Sequence, residues 1–406
     1  VPFNIVGAGS MTQEMLDFVT YTGVDTSKQK LFDFTANIAG EVFDLPAGSM
    51  GWAIGYEHRE EDGSFTPDPV VAAGETADVP TTPTVGGFDV DELYGEVIVP
   101  ILEDIPGFYS LTAEGGIRVS DYSNAGTNVT WKAGGSWEPF EGFRFRGIYQ
   151  VAVRAPNIGE LFAPVVTGLT PLPIDPCAGA NPVGNATLTA ICVAQGAPAA
   201  AIGLIPQPSA AQINATSGGN VNLDVEEAES ITIGLVATPR QVSGLTISID
   251  YFDISPTDAI GTVGPGDILD PCFGVNRDGN GIDPTACALV GRNPLNGSLN
   301  GGGETLGLIL QLQNLGTAGL STTGVDLRVN YTLPLNSGAL NWDFNGTWTE
   351  SLLVNGRECV GLFGANCEPI TPEWAFNLRT TLSLDDLVDI SLLWRWIDGV
   401  EYERRG

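Results

Sequence analysis

Apolar and polar side chains alternate along much of this chain with a period of two residues. The alternation is cleanest in Phe143–Arg154, where Phe145 and Tyr149 fall on one face and Arg144 and Arg146 fall on the other. A period of two predicts an extended strand with one apolar face. About a dozen alternating residues exceed the usual length of a soluble strand and match a strand that crosses a bilayer at a tilt.

The same alternation predicts about twelve strands. Their expected positions are Gln29–Ile38, Met50–His58, Gly87–Pro100, Tyr109–Asp121, Asn128–Glu138, Phe143–Arg154, Ala228–Thr238, Leu245–Ile254, Thr322–Leu333, Leu340–Leu353, Glu373–Ser383 and Val388–Val400. Short connections alternate with mostly long ones, such as Arg59–Gly86 and Pro156–Glu227. This arrangement predicts an all-β fold: an antiparallel up-and-down transmembrane β-barrel, partial at about twelve strands, with long extracellular loops. A soluble sandwich or solenoid is the alternative, but sandwich strands are shorter and no fixed short repeat is visible.

One helix is predicted, near the start of the chain. Ser10 precedes the segment MTQEMLDFV, and Gln13 follows three positions later, which is the spacing of a capping box. We therefore divide the chain into residues 1–25, a loop with a short helix, and residues 26–406, a barrel domain. Because Val1 begins within sequence of folded character and without a signal peptide, we expect the chain to be part of a longer protein.

The polar faces of the predicted strands carry charges that a packed apolar core would leave unsatisfied. A lipid-facing arginine destabilises a barrel by about 2–4 kcal/mol at the middle of the membrane. We therefore expect a water-filled lumen to be lined by Arg144, Arg146, Arg154, Arg328, Arg379 and Arg395. These arginines would either hold a charged ligand or pair with carboxylates on neighbouring strands, and the sequence favours neither reading.

The formal net charge of −32 over 406 residues argues against a nucleic-acid partner, because the phosphates would repel the chain. An acidic chain suits a bacterial outer surface, where divalent cations bridge carboxylates to lipopolysaccharide. The sequence has no apolar run of about 18 residues, so it predicts no transmembrane helix. It also lacks a recognisable catalytic constellation, which predicts that the protein is not an enzyme. The single histidine, His58, is expected at an exposed strand end near Glu60, rather than in a metal or pH-sensing site.

Two features of the predicted loops suggest covalent or metal cross-links. The six cysteines form three local pairs, which predict loop-closing disulfides in an oxidising compartment: Cys177 with Cys192, Cys272 with Cys287, and Cys359 with Cys367. The stretch NRDGNGID resembles the first half of a calcium loop. Its candidate ligands are Asn276, Asp278, Asn280 and Asp283, although Cys287 stands where a complete EF-hand has glutamate. A weaker calcium site and a plain Asn/Gly turn are the two readings of this stretch.

The motif RAPNIGELF resembles a signature of the TonB-dependent outer-membrane receptor family. Its matching residues are Arg154, Ala155, Pro156, Asn157, Glu160, Leu161 and Phe162. Further stretches resemble the strands and hairpins of that family, namely Gly51–Glu60, Phe88–Leu102, Gly116–Gly126 and Leu223–Gly234, the last with Val225 where proline is usual. Together these motifs extend the resemblance over most of the chain.

The resemblance implies a barrel of about 22 strands around an N-terminal plug. It implies a receptor in the bacterial cell outer membrane that imports a scarce large nutrient, such as an iron–siderophore, cobalamin or an oligosaccharide. Its implied partners are outer-membrane lipid, the large ligand, and the TonB complex through an N-terminal region that is missing here. The alternative is a barrel-derived fragment that acts as a structural or surface assembly protein through self-association. In either case the long loops, including the stretches Ala197–Ile213 and Gly301–Gly303, are expected to be flexible tips suited to ligand capture.

Overall fold

The computed structural model describes residues 10–76, 80–274, 279, 282–301, 306–316, 319–354, 356–364, 367, 370–384 and 387–403. Twelve long strands pair antiparallel in chain order, and the short strand β17 extends the sheet beside β16. The long strands are β1 (Thr26–Leu45), β2 (Gly48–Thr66), β3 (Thr84–Ile105), β4 (Phe108–Tyr122), β5 (Gly126–Phe140), β6 (Phe143–Arg154), β9 (Glu226–Ala237), β10 (Leu245–Thr257), β15 (Leu320–Leu335), β16 (Gly338–Val354), β19 (Trp374–Leu384) and β20 (Val388–Ile397).

Short strands and helices occupy the connections between the long strands. The short strands are β7 (Val166–Pro171), β8 (Gln212–Ser217), β11 (Ile260–Thr262), β12 (Val290–Gly291), β13 (Gly307–Ile309), β14 (Leu312–Asn314), β17 (Arg357–Glu358), β18 (Leu362–Phe363) and β21 (Glu401–Tyr402). The helices are α1 (Gln13–Val19), α2 (Pro69–Ala72), α3 (Ile158–Phe162), α4 (Ala186–Ala194), α5 (Pro265–Phe273) and α6 (Pro284–Cys287), and 3₁₀ turns occur at Ala199–Ala201 and Ser209–Ala211. In the described part of the chain, no helix has the length and apolarity needed to cross a membrane.

Each of the twelve predicted strands corresponds to a strand of the sheet, so the predicted up-and-down fold is confirmed. The bounds agree fully only for β6, and most strands extend beyond the alternating residues. In β1 and β2, for example, Thr26 pairs with Thr66 and Lys28 pairs with Ser64, beyond the predicted ends at Gln29 and His58. Backbone hydrogen bonding continues there because a ladder does not require an apolar side chain. The predicted cap of the first helix is wrong by two residues, since the Thr12 side chain, not that of Ser10, accepts from the Met15 N–H.

The register of the sheet separates its two sides. One side, the apolar face, carries aligned residues such as Ile117, Trp131 and Val151. The opposite side, the polar face, carries aligned residues such as Arg146 and Asp250. Aromatic rings stack between neighbouring strands on the apolar face, as at Tyr331 and Trp342, with ring centroids 5.5 Å apart. A sheet of this kind meets an apolar medium on one side and polar groups on the other.

The connection 155–225 and the connection 258–319, called here the first and second long loops, pack together as one unit. Strands β7 and β8 of the first loop and β12 and β13 of the second form one four-stranded sheet, joined by a parallel pairing of β13 with β8. Apolar residues from both loops are buried together, including Leu188, Ile213, Leu269, Phe273 and Leu308. We call this unit the loop module. Its packing contradicts the expectation of a flexible tip at Ala197–Ile213, because Ala197 and Ile205 are also buried there.

Candidate functional site

The family-like motif lies at the corner where β6 ends and the first long loop begins. Pro156 interrupts the strand, and Asn157 then caps helix α3. The Asn157 side chain accepts from the Glu160 N–H at 2.9 Å, and the Glu160 carboxylate accepts from the Asn157 N–H at 2.8 Å. This reciprocal capping box satisfies two backbone donors that the first turn of a helix leaves without partners. The motif therefore specifies a strand end followed at once by a capped helix.

Arg154 connects three elements at this corner. Its two terminal nitrogens each donate to the Glu160 carboxylate at 3.0 Å, and its Nε donates to Glu226 at the start of β9. The other Glu226 oxygen accepts from the Ile260 N–H of the second long loop at 2.6 Å. The planar guanidinium suits this arrangement because it offers several donors in fixed directions. One side chain thus joins the strand end, helix α3 and the base of both long loops.

Helix α3 lies against the polar face of the sheet. Leu161 is 2% exposed and packs with Phe88, Val90 and Tyr122 of strands β3 and β4. Leu223, from the end of the first long loop, completes this apolar cluster. The first loop therefore folds back over the sheet.

A cavity of about 450 Å³ lies on the polar face beside this corner. Charged and polar side chains from several strands line it, together with the backbone of the motif; they include Arg59, Glu61, Glu92, Arg118, Ser120, Tyr122 and Arg154. Arg118 donates to Glu92 at 2.8 Å and to Glu57 at 3.3 Å, and the Ser120 hydroxyl donates to Glu92. Arg59 lies 3.1 Å from Glu61. The side chains of the cavity can therefore bind a polar ligand by ion pairs and hydrogen bonds. Contacts to the ligand would then replace some of these internal contacts.

Two larger cavities lie along the same face, with volumes of about 810 and 610 Å³. Arg146 and Asp250 line both of them and form a bidentate pair, with Nη2 donating at 2.7 Å and Nε at 2.8 Å. Arg328 and Arg395 line the larger cavity, whose other residues include Asn345 and Asn377. Arginines therefore line all three cavities on the polar face, and asparagines also line the 810 Å³ cavity.

The register places all six predicted arginines on the polar face. Their partners differ: Arg144 lies 3.6 Å from Glu138, Arg328 lies 3.8 Å from Asp343, and Arg379 donates to the Ser391 hydroxyl at 2.9 Å. Pairing across strands, one of the two readings of the sequence, thus accounts for part of their contacts. Their role in lining a lumen stays a prediction.

The three cysteine pairs are at bonding distance, as predicted. The Sγ–Sγ distances are 1.92 Å for Cys177–Cys192, 2.07 Å for Cys272–Cys287 and 2.05 Å for Cys359–Cys367. The first two pairs lie in the buried part of the loop module, and the third lies in the connection between β16 and β19. Disulfides thus close all three of the long connections that contain cysteine.

The other candidate residues have different outcomes. Asn276, Asp278 and Asn280 lie outside the described residues, so the calcium site stays a prediction. Asp283 caps helix α6 by accepting from the Thr285 N–H at 2.8 Å. The expected strand-end position of His58 is wrong, because β2 continues to Thr66. His58 instead lies within that strand, with Nδ1 2.9 Å from Asp91.

Two features of the site escaped the sequence reasoning. One is the glycine pair Gly63 and Gly86, directly opposed on β2 and β3 beneath helix α3. The other is the buried pair of Arg292 and Asp175 in the loop module, joined by two hydrogen bonds of 2.7 Å. Arg292 is the one charged residue between Asp283 and Glu304 in the sequence, and this isolation was the available signal.

Comparison with known proteins shows a family match over nearly the whole chain. The family model described as TonB dependent receptor-like, beta-barrel, matches residues 3–406. Similar solved structures include the siderophore receptor PirA of Pseudomonas aeruginosa, at 17% identity and a TM-score of 0.50, covering 91% of this chain and 48% of PirA. A mutant of the ferric enterobactin receptor PfeA of the same species, in complex with enterobactin, matches at 15% identity and a TM-score of 0.54, with coverages of 91% and 42%.

A third similar structure is a double mutant of the hemophore receptor HasR of Serratia marcescens, in complex with its hemophore HasA and heme. It matches at 12% identity and a TM-score of 0.53, covering 93% of this chain and 53% of HasR. The chain therefore spans about half the length of these structures. At these identities, the likeness establishes the fold.

Proposed function

Because the chain belongs to the TonB-dependent receptor-like β-barrel family, whose members are receptors and transporters rather than enzymes, we propose that it forms the wall of a nutrient receptor in the bacterial outer membrane. The division of the sheet into an apolar and a polar face carries this proposal. The apolar face would meet lipid, and the polar face would line a water-filled lumen. The disulfides suit a compartment outside the cytosol.

We propose that the ligand is a large iron chelate, either a ferric siderophore or heme. PirA and PfeA are named as siderophore receptors and HasR as a hemophore receptor, which supports this choice for a chain of the same fold. Arginines on the polar face, such as Arg59 and Arg118 in the 450 Å³ cavity, offer charge-assisted hydrogen bonds to anionic oxygen groups of such ligands. Cobalamin and oligosaccharides are the competing ligand classes.

Ligand titration of the purified full chain in detergent, followed by tryptophan fluorescence, tests the proposed ligand. We expect ferric enterobactin or heme to bind, and cyanocobalamin and maltooligosaccharides not to bind. Arg118→Gln should weaken binding by roughly tenfold because it removes a charge-assisted contact. Arg240→Gln is the matched control, since Arg240 pairs with Glu141 between two neighbouring turns at the opposite rim. Binding of neither iron compound, or equal binding by the two variants, would contradict the proposal.

Location and energy coupling need separate experiments. Membrane fractionation of a Gram-negative host that expresses the whole parent protein should place it in the outer membrane. Uptake of the radiolabelled iron ligand should then require TonB, so a tonB deletion should abolish uptake while leaving surface binding intact. Uptake that persists without TonB would refute the energy coupling alone.

The edges of the sheet favour the second candidate function, self-association as a surface assembly. Among the described residues, strands β1 and β20 end the sheet, and each pairs with one neighbouring strand. Edge strands present backbone groups that can pair with another chain. Native mass spectrometry of the purified chain distinguishes the two functions: discrete oligomers without affinity for any ligand would favour assembly, and a ligand-binding monomer would exclude it.

A further inference from the structure

The segment Asn157–Phe162 packs against the sheet at two opposed glycines, and this packing depends on their lack of side chains. Gly63 of β2 and Gly86 of β3 are direct cross-strand partners. A Cβ atom on Gly86 would lie 2.1 Å from the ring of Phe162, and one on Gly63 would lie 3.0 Å from Ile158. Only hydrogen at Gly86 leaves room for the aromatic ring. The glycine pair therefore forms a notch into which helix α3 inserts two apolar side chains.

The returning end of the first long loop holds the same segment from the other side. Gly219 donates its N–H to the Ala163 carbonyl at 3.0 Å, and Asn220 donates its N–H to the Glu160 carbonyl at 2.8 Å. A Cβ on Gly219 would lie 2.7 Å from the Ala163 nitrogen, so the two backbones are in close contact. Helix α3 is thus enclosed between the sheet and the end of its own loop.

The second long loop is tied to this same base. The Asn220 side chain donates to the Leu312 carbonyl at 2.9 Å, and the Gln311 side chain donates to the Gly219 carbonyl at 3.0 Å. The Ile260 N–H donates to Glu226, which also accepts from Arg154. Both loops consequently meet at one corner, which is formed by helix α3, by residues 219–226 and by Arg154 at the end of β6.

We propose that Asn157–Phe162 is a fixed strap that runs from the end of β6 back to β2 and β3 and positions the loop module beside the 450 Å³ cavity. Gly63 and Gly86 are its positioning residues on the sheet, and Arg154 with Glu160 anchors its other end. The strap holds the base of both loops still, so movement of the first long loop is confined to residues 164–217, between the two held segments. The position of the loop module beside the cavity bears on ligand access only under the proposed receptor function. The strap itself does not depend on that function.

Hydrogen exchange measured by mass spectrometry on the full chain in detergent tests the strap without any ligand. We expect residues 155–163 and 218–226 to be protected in the native chain. Gly86→Ala should raise their exchange roughly tenfold, because the added methyl group displaces Phe162. Gly95→Ala is the matched control on the same strand, since its nearest neighbouring atom is 3.8 Å from the new Cβ. Peptides from β10 report whether the sheet remains intact.

The double variant Gly86→Ala/Phe162→Ala separates a specific clash from general damage to the strand. Removing the ring should make the added methyl group harmless, so exchange in the double variant should equal that of Phe162→Ala alone. Glu160→Ala gives a second route that leaves the sheet untouched, and it should also raise exchange in both segments. Its control is Asn185→Ala, which removes the cap of helix α4 in the same loop.

Native protection equal to that of an unstructured peptide would overturn the strap. So would exchange in Gly86→Ala that matches Gly95→Ala, or additive effects in the double variant. A chain that lacks ligand binding but shows the expected exchange would refute the receptor proposal and leave the strap standing.

Discussion

Arg292 and Asp175 show at the scale of single residues how the loop module is held together. Their side chains are 0% and 1% exposed, and the guanidinium donates to both carboxylate oxygens. Asp175 also accepts from the Cys177 N–H, and Arg292 donates to Gln195 and to the Gly297 carbonyl. A buried ion pair is stable only when further hydrogen bonds satisfy its remaining groups, which is the case here.

Removing one member of this pair should destabilise the loop module strongly. Arg292→Met leaves a buried carboxylate without its counter-ion, and we expect a loss of about 3–5 kcal/mol. Arg240→Met is the control, because the exposed pair of Arg240 and Glu141 contributes about 0–1 kcal/mol. Urea titration with limited proteolysis of the first long loop measures both. Equal urea midpoints for the two variants would show that the buried ion pair stabilises the loop module no more than the exposed pair stabilises its turns.

Asp68, in the connection after β2, predicts a dependence of stability on pH. The Val24 N–H at 3.0 Å and the Val70 N–H at 2.9 Å, with the Tyr21 hydroxyl at 3.3 Å, lower the pKa of its carboxyl group against the opposing effect of desolvation. A lowered pKa stabilises the fold above the unfolded-state pKa of about 4, and this stabilisation is lost as the pH falls through the folded-state pKa.

The stability difference between the native chain and Asp68→Asn should therefore be constant near neutral pH and should disappear in more acidic solution. Thermal unfolding of both proteins across a pH series measures it. Asp17→Asn is the control, because Asp17 is exposed on helix α1 and accepts only from Gln13 among the contacts described. A difference that persists at the most acidic pH would show that the charge of Asp68 is not its cause.

At the scale of elements, the two faces of each strand differ in whether they tolerate a charged side chain. Ile233 on β9 is aligned with Tyr251 and Gly147 on the apolar face, while its neighbour Thr232 lies on the polar face. The alternation within each strand therefore specifies which side chains can carry charge. The same periodicity makes the strands the most predictable elements of this chain.

Ile233→Arg should destabilise the sheet in a lipid bilayer by about 2–4 kcal/mol, because it moves a charge into the apolar medium. Thr232→Arg, one residue away, should have little effect, since its side chain faces the polar side. Urea-driven unfolding in lipid vesicles, followed by tryptophan fluorescence, compares the two. If both variants were equally stable, the apolar face would not be in contact with lipid.

Strand positions followed from the alternation, but strand ends and loop structure did not. Lys28 and Ser64 extend the pairing of β1 and β2 with polar residues, which no pattern of apolar positions reveals. Ile205 and Ile213 looked like parts of an open loop, because the residues that bury them belong to a different segment, near Phe273 and Leu308. Contacts between distant segments therefore determine the strand ends and the burial of loop residues, which local sequence patterns do not predict.

At the scale of the whole molecule, the loop module and the sheet are two differently stabilised parts. The sheet is held by backbone pairing between neighbouring strands. The loop module has its own apolar cluster and two disulfides, each closing 15 residues. A disulfide across such a loop contributes about 3 kcal/mol by restricting the unfolded chain.

Reduction should therefore loosen the loop module before the sheet. We expect Cys177→Ala/Cys192→Ala to make the first long loop sensitive to protease while strand content, measured by circular dichroism, stays unchanged. Cys359→Ala/Cys367→Ala is the matched control, because that bond closes only 8 residues in another connection. A loss of strand content in the first variant would show that the sheet depends on the module.

The sequence by itself determined the all-β class, the twelve strands, their two faces, the pairing of the cysteines and the family. These properties depend on periodicity of two, on close spacing along the chain and on contiguous motifs such as Arg154–Phe162. Tertiary structure alone decided the notch formed by Gly63 and Gly86, the burial of Arg292 and the union of the two long loops. Each of these joins residues that are far apart in sequence, and the free energy of such contacts depends on their distance in space.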